Sequence, residues 1–198
     1  MSQSHSFQPI SKKNLSKIKA NEYLLIRFQA PDDEEYYLDY LADHKPKNLM
    51  DKARDLLGIK VPIPNLKLTE LEQRVVHCEA TMCTLNQALF NNFVCLDKIS
   101  IFGVEGAVFS IEIGWLAPGL MTPDAVKLVY ARLKDVGVDD LIGHISTDKI
   151  AGTGLYREWM TEEHYKSEQK ALIRDFEKYK KMLQACAEND YGYVVYCI

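Results

Sequence analysis

Four stretches of this chain and its scattered cysteines hold residues whose types and spacing could do chemistry, and each also has a plainer reading. His77, Cys78 and Cys83 fall close together. Zinc wants ligands at i and i+4 on one helix face, or a CxxC pair. Cys78 and Cys83 are five apart, which points them to different sides of a helix with 3.6 residues per turn. His77 shares its face with Thr81, a poor zinc ligand. The expectation is core thiols and no metal. A cysteine nucleophile needs a lowered thiol pKa, at a helix N-terminus or beside a histidine. Cys78 is expected inside a helix, and Cys186 and Cys197 in the C-terminal elements. Only the fold could bring His144 or His164 to them.

The glycines of "AGTG" at 151–154 suggest a phosphate loop, but neither G-x-x-x-x-G-K-[ST] nor G-x-G-x-x-G is present. They are expected to punctuate a turn. "EWMTEEH" gathers Glu158, Glu162, Glu163 and His164. Paired carboxylates there could serve acid–base chemistry. The same acids at a helix start also complement its macrodipole, with Thr161 as cap. The most distinctive stretch is "DDEEYYLDYLAD". It sets Asp32, Asp33, Glu34, Glu35, Asp39 and Asp43 among three tyrosines. Its functional reading is a contact surface for a basic partner, since tyrosine anchors interfaces and opposite charge speeds encounter. Its plainer reading is a solvated helix face with the tyrosines turned inward.

The elements that must position these groups follow from length and pattern. With 198 residues the chain is long enough for one self-sufficient core, without disulfide or metal. It is 47% hydrophobic and 26% charged, as globular proteins are. A net charge of -4 speaks against nucleic acid as the main partner. The first residues, "MSQSHSFQPISKK", carry no apolar signal region, and no apolar run is long enough to span a bilayer. The five cysteines (Cys78, Cys83, Cys95, Cys186, Cys197) have no repeated spacing. Reduced, buried thiols in a cytoplasmic protein are expected.

Residues 1–6 are expected as a disordered tail, followed by one domain over 7–198. "FQPI" reads as a short extended piece, because the residue before Pro9 avoids the helical region. "EYLLIRF" at 22–28 fits helix or strand equally. A helix is expected from Pro31 or Asp32 to Asp43, and Pro46 ends it. Asn48 caps the next helix, with Gly58 at its C′ position. Thr69 and Glu72 make a capping-box pattern before Leu71, Val75, Cys78, Met82, Leu85 and Leu89, so a helix is expected there. Extended segments are expected over roughly 94–102 and 106–116, around Gly103 and Gly106. Thr122 and Pro123 open a further helix, which Gly137 closes. A shorter helix, "DDLIGHI", comes next. A long helix is expected from about Glu162 to Asn189, with Tyr165, Leu172, Phe176, Tyr179, Leu183 and Cys186 on one stripe. "DYGYVVYCI" then reads as a turn and a strand inside the sheet, pairing with 106–116 or with the N-terminal extended segment. Helices segregated from a few strands give an α+β class, with several helices on a small, mostly antiparallel sheet that includes the C-terminal strand.

The C-terminal part, roughly 115–198, resembles the YfbM-like bacterial family of unknown function. In that family a Leu-Thr-Pro loop enters a helix, and a long aromatic-bearing helix ends in a turn before a short terminal strand. Thr122, Pro123, Phe176, Tyr179, Ala185, Ala187, Glu188 and Gly192 stand at the corresponding places. The resemblance supplies no catalytic residues and implies no cofactor. The residues therefore favour a non-catalytic binding protein, such as an immunity or antitoxin-like protein that occludes a basic toxin domain with Asp32, Asp33, Glu34, Glu35 and Asp39. The alternative is an enzyme with a pocket near 151–164 using Glu162, Glu163 or His164. A homodimer with a housekeeping role is the third reading.

Overall fold

β-Branched and aromatic residues dominate Tyr191–Cys197, and this segment is the strand around which the main sheet is built. The computed structural model describes residues 5–78, 82–107, 109–113, 117–144 and 162–197. Strand β1 spans His5–Ser11. Helices α1 (Lys12–Ala20), α2 (Leu24–Gln29), α3 (Glu34–His44) and α4 (Leu49–Leu56) follow. Next come strand β2 (Val76–Cys78), helix α5 (Met82–Leu89), a π-helical turn at Phe90–Val94, and the short strands β3 (Ile99–Ser100) and β4 (Gly103–Val104). Strand β5 (Gly119–Met121), helices α6 (Pro123–Leu133), α7 (Val138–His144) and α8 (Glu162–Asn189), and strand β6 (Tyr191–Cys197) complete the described elements.

The sheet order is β2-β1-β6-β5 and every pairing in it is antiparallel. β6 lies against β1 along its whole length, from His5↔Cys197 to Ser11↔Tyr191. On its other side Gly119, Leu120 and Met121 face Val195, Val194 and Tyr193. β6 is thus an interior strand, buried on both faces at Tyr193, Val194, Val195 and Tyr196. Pro9 is tolerated in β1 because its missing N–H lies on the β2 side, beyond the end of β2 at Val76. Ser11, two residues on and so on the same edge, sends its N–H to Glu72 Oε1 at 2.9 Å.

The chain divides into two compact units, Lys13–Glu70 and the combination of Met1–Lys12 with Leu71–Ile198. In the second unit, α6 and α8 pack on the sheet. Leu172, Phe176, Tyr179, Leu183 and Cys186 of α8 are buried, as their stripe requires. Tyr179 and Tyr193 share a hydrogen bond of 2.9 Å between their hydroxyls, and Tyr193 Oη donates to the Ile101 carbonyl at 3.0 Å. Both rings meet Phe7 edge-on. The turn into β6 places Asp190 at φ 60, and Lys12 and Lys127 hold its carboxylate. In the unit Lys13–Glu70, Leu15, Ile18, Leu25, Ile26, Phe28, Tyr37, Tyr40 and Leu66 are buried. Among the described residues, no helix is long and apolar enough to cross a membrane.

The class is α+β, with helices on a small antiparallel sheet that includes the C-terminal strand, as expected. The caps at Asn48 and Thr122 and the span of α8 also agree with the sequence reading. Several segments differ. His5 and Ser6, expected in a tail, belong to β1, because the register with Tyr196 and Cys197 carries the ladder that far. The segment 22–28 resolves as helix α2 over Leu24–Gln29. The helix expected from Thr69 is a turn and strand β2 up to Cys78, with α5 beginning only at Met82. The edge of β1 takes Val76–Cys78 as its partner, and Glu72 is drawn to Ser11 instead of closing a capping box. Of the two partners expected for β6, the N-terminal extended segment is the one it takes, as β1. On its other side it pairs with Gly119–Met121 and not with 106–116, and Gly119 and Gly103 there permit a backbone crossing that a side chain would block.

Candidate functional site

Three acids and a tyrosine pair shape α3. Asp33 is its N-cap, with Oδ1 accepting from the Tyr36 N–H at 2.8 Å, and Glu34 and Glu35 occupy its first turn. Tyr37 and Tyr40 turn inward and are buried. Burial raises the Tyr37 phenol above its ordinary range, against a smaller opposing pull from the Arg27 charge. Tyr40 stacks on His44, with ring centroids 4.1 Å apart, and meets Tyr23 and Tyr36 edge-on. Anchoring the tyrosines on one side fixes the acids on the other. Asp32, Asp33, Glu34, Glu35 and Asp39 are all exposed. Among the described residues none of these five carboxylates has a cationic partner. Their negative potential therefore faces solvent.

The neighbouring helix treats its charges differently. Asn48 and Asp51 form a reciprocal capping box at the start of α4. Asp55 pairs with Lys47 at 2.7 Å, and Asp51 with Lys45 at 3.7 Å and Arg54 at 3.6 Å. Asp51, Asp55, Lys45 and Lys47 line a cleft of about 150 Å³ with Leu38, Leu41, Ala42 and Val61. Its opposed charges are paired within the cleft, so its lining side chains sum to no net charge.

In the other unit a second cleft, of about 280 Å³, opens where β2 stops short of Pro9. Pro9, Leu71, Val76, Met182 and Ala185 form its apolar floor, and Arg74, Lys178 and Lys181 stand around it. Lys178 is engaged by the His77 carbonyl at 3.3 Å and by Asp175 at 3.7 Å. Asp175 is fully buried and also takes Arg174 Nε at 3.2 Å. Glu72, fully buried as well, accepts from the Ser11 N–H at 2.9 Å and from Ser11 Oγ at 2.7 Å. Both carboxylates are spent on holding backbone and neighbouring cations in place.

Among the described cysteines, the two buried ones are not poised for nucleophilic chemistry. Burial pushes the Cys78 thiol up to about 12, with the Asp175 charge adding to it, and burial alone pushes Cys186 to about 12. Neither is a thiolate at neutral pH. Cys95 departs from the expectation of five buried thiols: it is exposed, in the left-handed region at φ 47, where it ends the π-helical turn. His77 sits on the edge strand β2, with Nδ1 2.8 Å from Ser6 Oγ. Among the described residues, no group of three His, Cys, Asp or Glu could hold a metal.

The structure leaves the acids of α3 together on one exposed surface, as the sequence places them. The side chains of Glu162, Glu163 and His164, and all of 151–161, lie outside the described residues; the backbone of Glu162–His164 opens α8. Sequence reading missed the burial of Glu72 and Asp175 and the exposure of the apolar side of α4. The pattern "LMDKARDLL" signals that apolar side, because its apolar residues recur on one side of the helix, but not the direction in which the side faces.

Residues 92–196 match the sequence profile of a family described as a domain of unknown function (DUF1877). No curated protein matches the chain. Among solved structures, the fold resembles that of YfbM, a protein of unknown function from Escherichia coli. The TM-score is 0.51 at 13% sequence identity, covering 98% of this chain and 99% of that one.

Proposed function

We propose that this chain, which belongs to the DUF1877 family, acts by binding another protein and not by catalysis. The observation that carries this reading is the row of exposed, unneutralised carboxylates at Asp32, Asp33, Glu34, Glu35 and Asp39. Other carboxylates are matched: Asp51, Asp55, Asp175 and Asp190 each have a cation within 4 Å. The partner that fits is a protein with a basic surface, and the immunity or antitoxin-like role assigns that surface to a toxin. Such a row steers a basic partner into encounter and fixes its register. Tyr36, partly exposed beside the acids, offers an aromatic anchor of the kind that concentrates binding energy. The exposed free thiol of Cys95 suits a reducing, cytoplasmic setting.

The test replaces the charges while keeping the α3 cap. The variant carries Asp32→Lys, Asp33→Asn, Glu34→Gln, Glu35→Gln and Asp39→Lys. Asparagine caps helices as well as aspartate does, so Asp33→Asn preserves the start of α3. The far-ultraviolet circular dichroism should then match the parent. Capture of the partner by immobilised protein should fall at least ~30-fold, as several rim and anchor charges are lost together. An unchanged partner set at unchanged affinity sinks the reading.

A further inference from the structure

Helix α4 has no buried residue. Its apolar side chains nonetheless fall on one side: Leu49 is 85% exposed, Met50 65%, Leu56 88% and Leu57, its C-cap, 70%. At about 100° per residue, Ala53 lies about 200° around the helix from both Asp51 and Asp55. The charged side therefore turns to the cleft with Lys45 and Lys47, and the apolar side turns to solvent. This inverts the usual orientation of a surface helix. With Ile59 at 53% exposed just beyond the helix, the stretch gathers large exposed apolar side chains, and such a patch on a protein surface marks an interaction site.

The order of the residues says what covers it. Read by class about Ala53, the helix is a palindrome: Leu49-Met50 against Leu56-Leu57, Asp51 against Asp55, and Lys52 against Arg54. A two-fold axis brings a surface onto its own reverse, so that residue i meets j and j meets i. Two antiparallel α4 helices would set Leu49 and Met50 of one copy against Leu57 and Leu56 of the other. Ala53 would fall at the axis, where its small side chain lets the backbones approach. Asp51 and Asp55, on the far side and already paired, would stay out of the contact.

We propose that α4 is the self-association surface of this protein, pairing antiparallel with α4 of a second copy about Ala53. The proposal is separate from the binding role of α3 and stands or falls independently of it. The test is sedimentation equilibrium of the full chain, wild type and Leu56→Asp. Because Leu56 is 88% exposed in one copy, the substitution leaves the fold intact, which circular dichroism checks. The wild type should be a dimer, and Leu56→Asp, which strikes the contact twice, should weaken it at least ~100-fold. In parallel, Ala53→Cys should form an intermolecular disulfide under mild oxidation faster than wild type, whose exposed Cys95 is the control. A monomeric wild type, an undiminished Leu56→Asp dimer, or an Ala53→Cys chain that cross-links no faster than wild type each overturns the proposal.

Discussion

Removing Val194 to Ile198 should abolish cooperative folding. Val194, Val195 and Tyr196 are 0%, 5% and 1% exposed, respectively. At roughly 1.5–3 kcal/mol for each buried side chain, their loss costs about 5–9 kcal/mol. The same cut removes the rungs joining His5, Ser6, Phe7 and Gln8 of β1 to β6, and those joining Gly119 and Leu120 of β5. A domain has only about 5–15 kcal/mol in total. A graded variant makes the reasoning quantitative. Val194→Ala deletes two methyl groups at a site with no solvent exposure, for about 2 kcal/mol including the cavity left behind. In urea, with a slope of about 1–3 kcal/mol/M, that moves the midpoint by about 1 M. The assay is urea unfolding followed by circular dichroism. A truncated chain that unfolds cooperatively near the parent midpoint, or a Val194→Ala shift too small to measure, would refute the interior placement of β6.

Four further outcomes follow from individual sites. Tyr193→Phe removes the hydroxyl that bonds Tyr179 and the Ile101 carbonyl, and thermal unfolding should register a loss of about 1–3 kcal/mol. Gly119→Ala would drive a Cβ into the Phe102 carbonyl oxygen, so the variant should lose about 3 kcal/mol in urea unfolding through forced backbone movement. Burial holds the phenols of Tyr179, Tyr193 and Tyr196 above their ordinary pKa near 10. Their folded-state pKa values are raised, so their contribution to stability is complete below about pH 10 and is lost as pH rises beyond it; chemical denaturation at rising alkaline pH should show the decline. A thiol-reactive dye should label Cys95 at once, whereas Cys78 and Cys186 should react only on unfolding.

The parts legible in the sequence are those whose local signals act alone. Asn48, Thr122 and Pro123 mark helix starts through their own side chains or rings, and α8 declares itself through a stripe repeated over 28 residues. The strand character of β6 is legible because Val194, Val195 and Tyr196 favour extended backbone. Its pairing with the N-terminal segment is among the expectations; its second partner is not, because pairing with Gly119–Met121 depends on a backbone crossing between Gly103 and Leu120 that no local pattern encodes. The Thr69–Glu72 pattern misleads for a related reason. Glu72 answers to Ser11, 61 residues away, and that long-range bond outweighs a local cap. The exposure of the acids of α3 is legible, since charge needs water. The outward face of α4 is not, because periodicity gives the angle of a helix stripe and not the direction in which it points.

The measurement that bears most directly on the binding role is the affinity of wild type and the α3 variant for the same captured partner, at low and at physiological salt. If the carboxylates at 32–39 form the contact, wild-type binding weakens as salt rises, and the variant is both weaker and less sensitive to salt. Equal affinities for the two proteins, or equal salt dependence, would contradict it.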